Sequence, residues 1–473
     1  MSRTRLIWTF VVTSVAAFMV SLDNLIVTMA LPSIREHLHA GLSSLEWTVN
    51  AYTLVFAVFL LTGAALGDKF GRKRVFTAGL AVFTAASAVA ALAPNIEVLI
   101  AARAIQGLGG AMVLPLSMTI LAGSVPAERR GAALGVWGAV SGLGVAVGPV
   151  VGGAVVEGAA WQWIFWLNVP IGLLAVPLAW TKLSESRATV RKLDLPGVAL
   201  VSAGLFGIVF GVVRGNSHGW TSTSVLSGII AGTVLLAAFL AWERRSPTPM
   251  LPLSLFTHRS FAAVNLASLL FSFGMFGAVF LLSQSLQTVQ QYSPLGAGLR
   301  TLPWTAMPLL LAPIVGPLAD RIGGKPLIVT GLLFQALGLL WLAHYTTTTV
   351  SYGMLVPGFV VAGIGMSLFF VPVGTVVFGS APAESQGVAS GVNNAIRELG
   401  GVFGVAVLSS VFSSQGSYVS RQSFIDGLSP AVYVGAGIVL VGAIVAMLIR
   451  NVRPQAAEPV AVEPAPELVT TAA

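Results

Sequence analysis

The stretch Ala65–Phe76 reads ALGDKFGRKRVF, and the stretch Gly316–Leu327 reads GPLADRIGGKPL. Each follows an apolar run. Each has the order Leu, small residue, Asp, basic residue, apolar residue, Gly, with Lys shortly after. Asp68 and Asp320 lie 252 residues apart in a chain of 473. A motif repeated across half the chain points to an internal duplication, and many secondary transporters are built that way.

The sequence around the two stretches identifies the solvent. Hydrophobic residues make up 56% of the chain and charged residues only 9%, with a mean hydropathy of +0.88. A soluble domain carries about 25% charged residues. The apolar residues come in runs close to the ~20 that cross a bilayer. The 52 Gly and 25 Pro are scattered through those runs. A bilayer helix tolerates them because neighbouring helices satisfy the freed backbone groups. Fourteen segments can be read, near 6–30, 47–67, 75–93, 97–123, 131–157, 162–180 and 196–214, then 225–242, 261–287, 300–319, 326–344, 353–379, 387–412 and 429–449. The first is longer than the ~7–15 residues of a signal-peptide core and contains Asp23, so it reads as a retained helix.

Basic residues orient the segments. With the N-terminus inside, nineteen of the 25 Lys and Arg fall on the cytoplasmic side and four outside, while Arg103 and Arg397 lie within segments. This is the positive-inside pattern. It holds only for an even number of segments, so both termini are expected in the cytoplasm. It also accounts for the net charge of +8 without nucleic acid. The chain has no Cys, which excludes disulfides, thiolate metal sites and a Cys nucleophile.

Asp68 follows the second segment and Asp320 the tenth. A plain six-helix repeat would put the second motif after the eighth, so two segments stand between the halves. The expected organisation is an all-α polytopic membrane protein: a six-helix bundle over 1–185, two inserted helices over 186–250, a second six-helix bundle over 251–452, and a disordered tail over 453–473. The tail is rich in Ala, Pro and Glu and cannot bury a core.

The first loop resembles the cytoplasmic signature of the major facilitator superfamily, G-x-L-A-D-R-x-G-R-K, with Ala64 for the family's Gly and Lys69 for its Arg. In the second loop Gly324 replaces the second Arg. Three more stretches resemble motifs of the fourteen-helix drug/proton antiporter branch: LDNLIVTMALPSI (Leu22 to Ile34), RAIQGLGGA (Arg103 to Ala111) and GVAVGPVVGG (Gly144 to Gly153). The resemblance implies the major facilitator fold and alternating access. It implies proton-coupled export of small hydrophobic, drug- or antibiotic-like compounds across a cell (inner or plasma) membrane. The proton is then the coupling ion, with no other cofactor, no metal and no enzymatic activity. Composition rich in Ala, Gly and Val suggests a prokaryotic membrane, and a monomer is expected.

Within the segments, ionisable groups mark candidate sites, because a charge in hydrocarbon must face protein or water. Asp23 lies about two-thirds along the first segment, where burial and a nearby cation pull its proton affinity in opposite directions. Arg103 needs a partner, and Gln106 follows at i+3 on the same face. Glu398 shares a face with Asn394; the adjacent Arg397 does not. Asp23, Arg103 and Glu398 are the proton-coupling candidates, the first two on the strength of the resemblance, and Glu398 is equally a candidate for recognising a cation. The plainer alternatives are a helix-end Asp at the outer headgroups, an Arg held by carbonyls, and a Glu neutralised by Arg397. Tyr52, Gln106, Trp137, Gln284, Gln287, Trp304, Asn393 and Asn394 are candidate linings of a substrate cavity. Asp68, Gly71, Arg72, Asp320 and Arg321 form candidate cytoplasmic latches. Asp68 ends a helix, where its charge opposes the macrodipole and requires a cationic or donor partner. Gly148, Pro149 and Gly152 suit a pivot or a tight seal in the fifth segment. Trp161, Trp163 and Trp166 read as an interfacial belt.

Other function classes lack their signatures. No GxxxxGK[ST] supports an ATP-driven pump, and no HExxH or GxSxG supports an intramembrane enzyme. A channel needs rings of polar residues. Two alternatives stay open: a dedicated exporter of an endogenous metabolite such as an amino acid, a siderophore or a self-made antibiotic, and a non-transporting sensor or scaffold. A scaffold has no use for Asp23, Arg103 and Glu398 in the bilayer.

Overall fold

The computed structural model describes residues 3–187, 194–247, 249–382 and 386–450; the tail over 453–473 lies outside them. Every regular element among these residues is helical. The first group is α1 (Arg3–His37), α2 (Leu42–Phe70), α3 (Arg72–Ala91), α4 (Ile96–Ser124), α5 (Ala127–Gly158), α6 (Trp163–Trp166) and α7 (Asn168–Lys182). A hairpin of α8 (Leu195–His218) and α9 (Thr223–Glu243) follows. The last group is α10 (Arg259–Thr288), α11 (Pro294–Thr305), α12 (Met307–Ile322), α13 (Gly324–Tyr345), α14 (Tyr352–Gly379), α15 (Gln386–Gln415) and α16 (Arg421–Ala446).

Fourteen crossings result, because α6 with α7 and α11 with α12 each make one. Proline explains both interruptions. Pro170 has no N–H to offer the Trp166 carbonyl, and Pro308 has none for Trp304. With fourteen crossings, α1 begins and α16 ends on one face, called here the terminal side; the opposite face is the far side.

Each group packs mainly on itself: α1 with α5, α2 and α3 with α4, α10 with α15 and α16, and α13 with α14. The α8–α9 hairpin rests on both groups. Leu205, Val209 and Val213 of α8 pack with Leu54 and Val58 of α2 and with Val402 and Ala406 of α15.

The groups meet differently on the two sides. On the far side α5 lies between α1 and α11. A Cβ on Gly152 would sit 2.6 Å from the Ile26 carbonyl oxygen, and one on Gly298 would run into the Pro149 carbonyl. The Thr305 hydroxyl donates to the Ala146 carbonyl at 3.0 Å, and Gln287 donates to the Met29 carbonyl at 3.1 Å. Toward the terminal side the same α5 turns Val136, 52% exposed, and Leu143, 38% exposed, away from protein. Opposite, Leu310 and Ile314 of α12 are exposed as well. Along this flank the two groups are joined on the far side and apart on the terminal side.

Candidate transport site

Asp23 on α1 and Arg103 on α4 are both fully buried and form an ion pair through Oδ2 and Nη1. Neither touches lipid or solvent. The Gln106 side chain, one turn after Arg103, accepts from Arg103 Nη1 at 2.8 Å and donates to Asp23 Oδ1 at 2.8 Å. Asn168, the first residue of α7, donates to the same Oδ1 at 2.8 Å. Ser87 on α3 accepts from Gln106 at 2.9 Å. Arg103 Nε donates to the Thr48 carbonyl at 3.2 Å, and the guanidinium lies 4.2 Å over the Tyr52 ring. Five helices of the first group therefore converge on one carboxylate. The approach of α2 to α4 depends on Gly107, where a Cβ would collide with the Tyr52 carbonyl.

Glu398 on α15 is held more loosely. It is buried, with Arg397 Nη2 at 3.6 Å and Asn24 as its other side-chain partner. Adjacent residues do not share a helical face, but the long Arg397 side chain bends back to reach its neighbour. Glu398 Oε2 has no hydrogen-bond partner. Asn24 follows Asp23, so α1 presents one polar residue to α4 and the next to α15.

The other candidates do not line one wall. Tyr52 and Gln106 belong to the Asp23 cluster. Gln284 donates to the Phe280 carbonyl at 2.8 Å and accepts from Tyr418 at 2.6 Å, and Gln287 joins the far-side seam. Asn393 donates to Asn265 at 3.1 Å and Ser268 at 3.0 Å, while Asn394 is half-buried. Trp304 is buried against Phe359. Trp137 is half-buried on the terminal-side part of α5. The Trp belt needs correction: Trp161 is buried edge-on to Phe165, and only Trp163 is exposed. The helical turn directs their side chains differently.

The two loops share a backbone and differ in charge. Gly71 and Gly323 join their helix pairs with positive φ, 113° and 87°. Arg72 Nε lies 2.8 Å from Asp68 Oδ1 across one turn, which supplies the cation that a carboxylate at a helix C-terminus requires. Glu185, beyond α7, accepts from the Lys73 N–H at 3.1 Å and lies 3.7 Å from Arg74. Four residues after Asp320 stands Gly324, and neither Asp320 nor Arg321 forms an ion pair among the described residues.

The sequence reading missed Asn168, Ser87, Asn24 and Glu185. For Asn168 a signal existed, a lone amide inside an apolar run.

The model of the Major Facilitator Superfamily matches residues 13–404 and 264–472. The chain belongs to the Major Facilitator Superfamily. This facilitator is 35% identical over 454 residues to the multidrug resistance protein Stp of Mycobacterium tuberculosis (strain CDC 1551 / Oshkosh), covering 92% of this chain and 84% of that one. It is 33% identical over 427 residues to the tetracenomycin C resistance and export protein of Streptomyces glaucescens, covering 90% and 79%. It is 34% identical over 472 residues to a puromycin resistance protein of Streptomyces alboniger, covering 95% and 92%. Among solved structures, a POT family transporter in complex with 5-aminolevulinic acid superposes with a TM-score of 0.69 at 14% identity, over 94% of this chain and 95% of that one. That likeness concerns the fold. The chain is a multi-pass membrane protein of a transporter family.

Proposed function

We propose that this facilitator is a secondary exporter of small hydrophobic compounds, working by alternating access and driven by proton antiport, with both termini in the cytoplasm. The observation that carries the proposal is the buried Asp23–Arg103 pair, set in a molecule whose halves, along the α5 flank, meet on the far side and part on the terminal side. A buried pair is weak evidence for stability, since desolvation offsets much of the attraction. Its use lies in switching: a proton and Arg103 compete for the one carboxylate. Relatives named for multidrug, tetracenomycin C and puromycin resistance support export of drug-like cargo. Fusing reporters to each end tests the orientation.

The decisive experiment follows a hydrophobic fluorescent dye in reconstituted vesicles under an imposed pH gradient. The dye should move against its own gradient while protons run the other way. The movement should stop when the pH gradient is collapsed and should be lost in Asp23→Asn. Dye movement indifferent to both would remove proton coupling.

A second reading, export of one endogenous metabolite, is favoured by relatives named as tetracenomycin C and cephamycin export proteins. A toxicity panel on cells with and without the protein separates the two: broad protection supports drug export, and a single compound supports the dedicated exporter.

A further inference from the structure

α2 and α15 run antiparallel and form the other seam between the halves. Leu54 and Val58 meet Val402 and Ala406, and Leu61 meets Gly391. One and two turns toward the far side from Leu54, on the same face, stand Asn50 and Glu46. Ser409 of α15 stands opposite Glu46, within reach of its carboxyl. All three side chains are buried, Glu46 at 3% exposure. Glu46 Oε2, both amide atoms of Asn50 and the Ser409 hydroxyl lack hydrogen-bond partners. Glu46 takes no part in the ion pairs among the described residues.

An ionised carboxylate in such a place is strongly disfavoured. A strip of unpaired polar groups in an otherwise apolar seam is explained if the seam opens and water reaches it. We propose that Glu46 is a proton-binding residue of the far-side seam, carrying a proton while α2 and α15 are shut and losing it to the outer solution when they part. As the neutral acid it donates toward Ser409; ionised, it needs water. Closure of the far side is then tied to the pH of that side. Glu46 is a positioning residue: its proton returns to the side it came from.

The groups facing Glu46 from neighbouring elements are few. Tyr418, beyond α15, carries the Arg35 guanidinium 3.8 Å over its ring, and its hydroxyl donates a hydrogen bond to the Gln284 amide oxygen. Burial raises the Tyr418 hydroxyl above the ordinary tyrosine range, so it stays neutral. His37 ends α1, His39 lies in the turn after it, and Arg214 stands on α8. The test is run with His37→Gln and His39→Gln in place, so that neither imidazole contributes to the readout.

The test needs no removal of native thiols, since the chain has none. Gly41→Cys and Ser414→Cys place spin labels on the two far-side rims, and pulsed electron resonance reads their separation in lipid nanodiscs between about pH 5 and about pH 9. The ratio of short to long separations should fall with rising pH, by up to about tenfold per unit above the midpoint. In Glu46→Gln the ratio should stay near its low-pH value throughout. Where that variant does not fold, Ser409→Ala should shift the midpoint. Distances independent of pH, a Glu46→Gln protein that titrates like its parent, or an unmoved midpoint in Ser409→Ala each overturn the assignment. The inference rests on the alternation proposed above and not on the driving gradient. Failed dye antiport with an intact distance titration removes proton coupling alone, and the reverse removes Glu46 alone.

Discussion

Asp23 in the first half of this facilitator and Glu398 in the second are held in opposite ways. In the first half Asp23 is saturated: Arg103, Gln106 and Asn168 all bond to it, and all belong to that half. In the second half Glu398 keeps one oxygen without a partner, faces a partly exposed Arg397 at 3.6 Å, and borrows Asn24 from the first half. The loops repeat the contrast, with Asp68 paired to Arg72 and Asp320 without an ion pair among the described residues. A saturated carboxylate resists change until its partners move together. One with a spare oxygen and a partner across the seam senses the other half. The first half reads as the rigid member and the second as the one whose contacts are exchanged.

The strongest way to break the contrast is Arg103→Ala. It strands Asp23 in a fully buried site, and removing one partner of a buried pair costs about 3–5 kcal/mol. The expected result is a large fall in thermal midpoint in detergent, together with loss of dye transport. Adding Asp23→Asn should recover much of the stability and none of the transport. If Arg103→Ala unfolds like the parent, Asp23 is not the anchor of the first half.

Next in size is Asn168→Ala. It removes one of several donors from a buried carboxylate, a loss of about 1–3 kcal/mol. Glu398→Gln should fall below that, within about 1 kcal/mol of the parent, because Asn24 can still bond to an amide. Its expected signature is kinetic: dye transport that loses its dependence on the pH gradient at nearly unchanged stability. A Glu398→Gln protein as unstable as Arg103→Ala would erase the distinction between the halves.

Much of this was legible in sequence, for a physical reason. Bilayer thickness dictates the length of each apolar run, so fourteen crossings could be counted without any contact being known. Asp23, Arg103 and Glu398 stood out because charge is rare in such runs. Ser87 and Asn24 did not, since neutral polar side chains are common in membrane helices and only packing shows which carboxylate they serve. The breaks at Leu167 and Ala306 were hidden for a similar reason. Pro115, Pro149 and Pro372 sit inside unbroken helices, so a proline alone does not say where a helix stops. The unequal loops were legible in part, because Gly324 stands where the family has Arg. The Glu185 contacts, made by a residue more than a hundred positions away, were not.

The smallest expected effect sharpens the loop half of the comparison. Arg72→Ala breaks a pair whose side chains are 21% and 38% exposed. Solvent screening limits the value of such a pair to about 0.2–1 kcal/mol. Asp320→Asn breaks no described pair and should stay within about 0.5 kcal/mol of the parent, as surface changes do. Denaturation in matched detergent can resolve that difference if the two variants are measured side by side. Equal losses would mean that Asp320 has a partner in another conformation, and the second loop would then be a latch that this state leaves undone. A loss only in Arg72→Ala places the standing latch in the first half, where Glu185 and Arg74 already brace the start of α3.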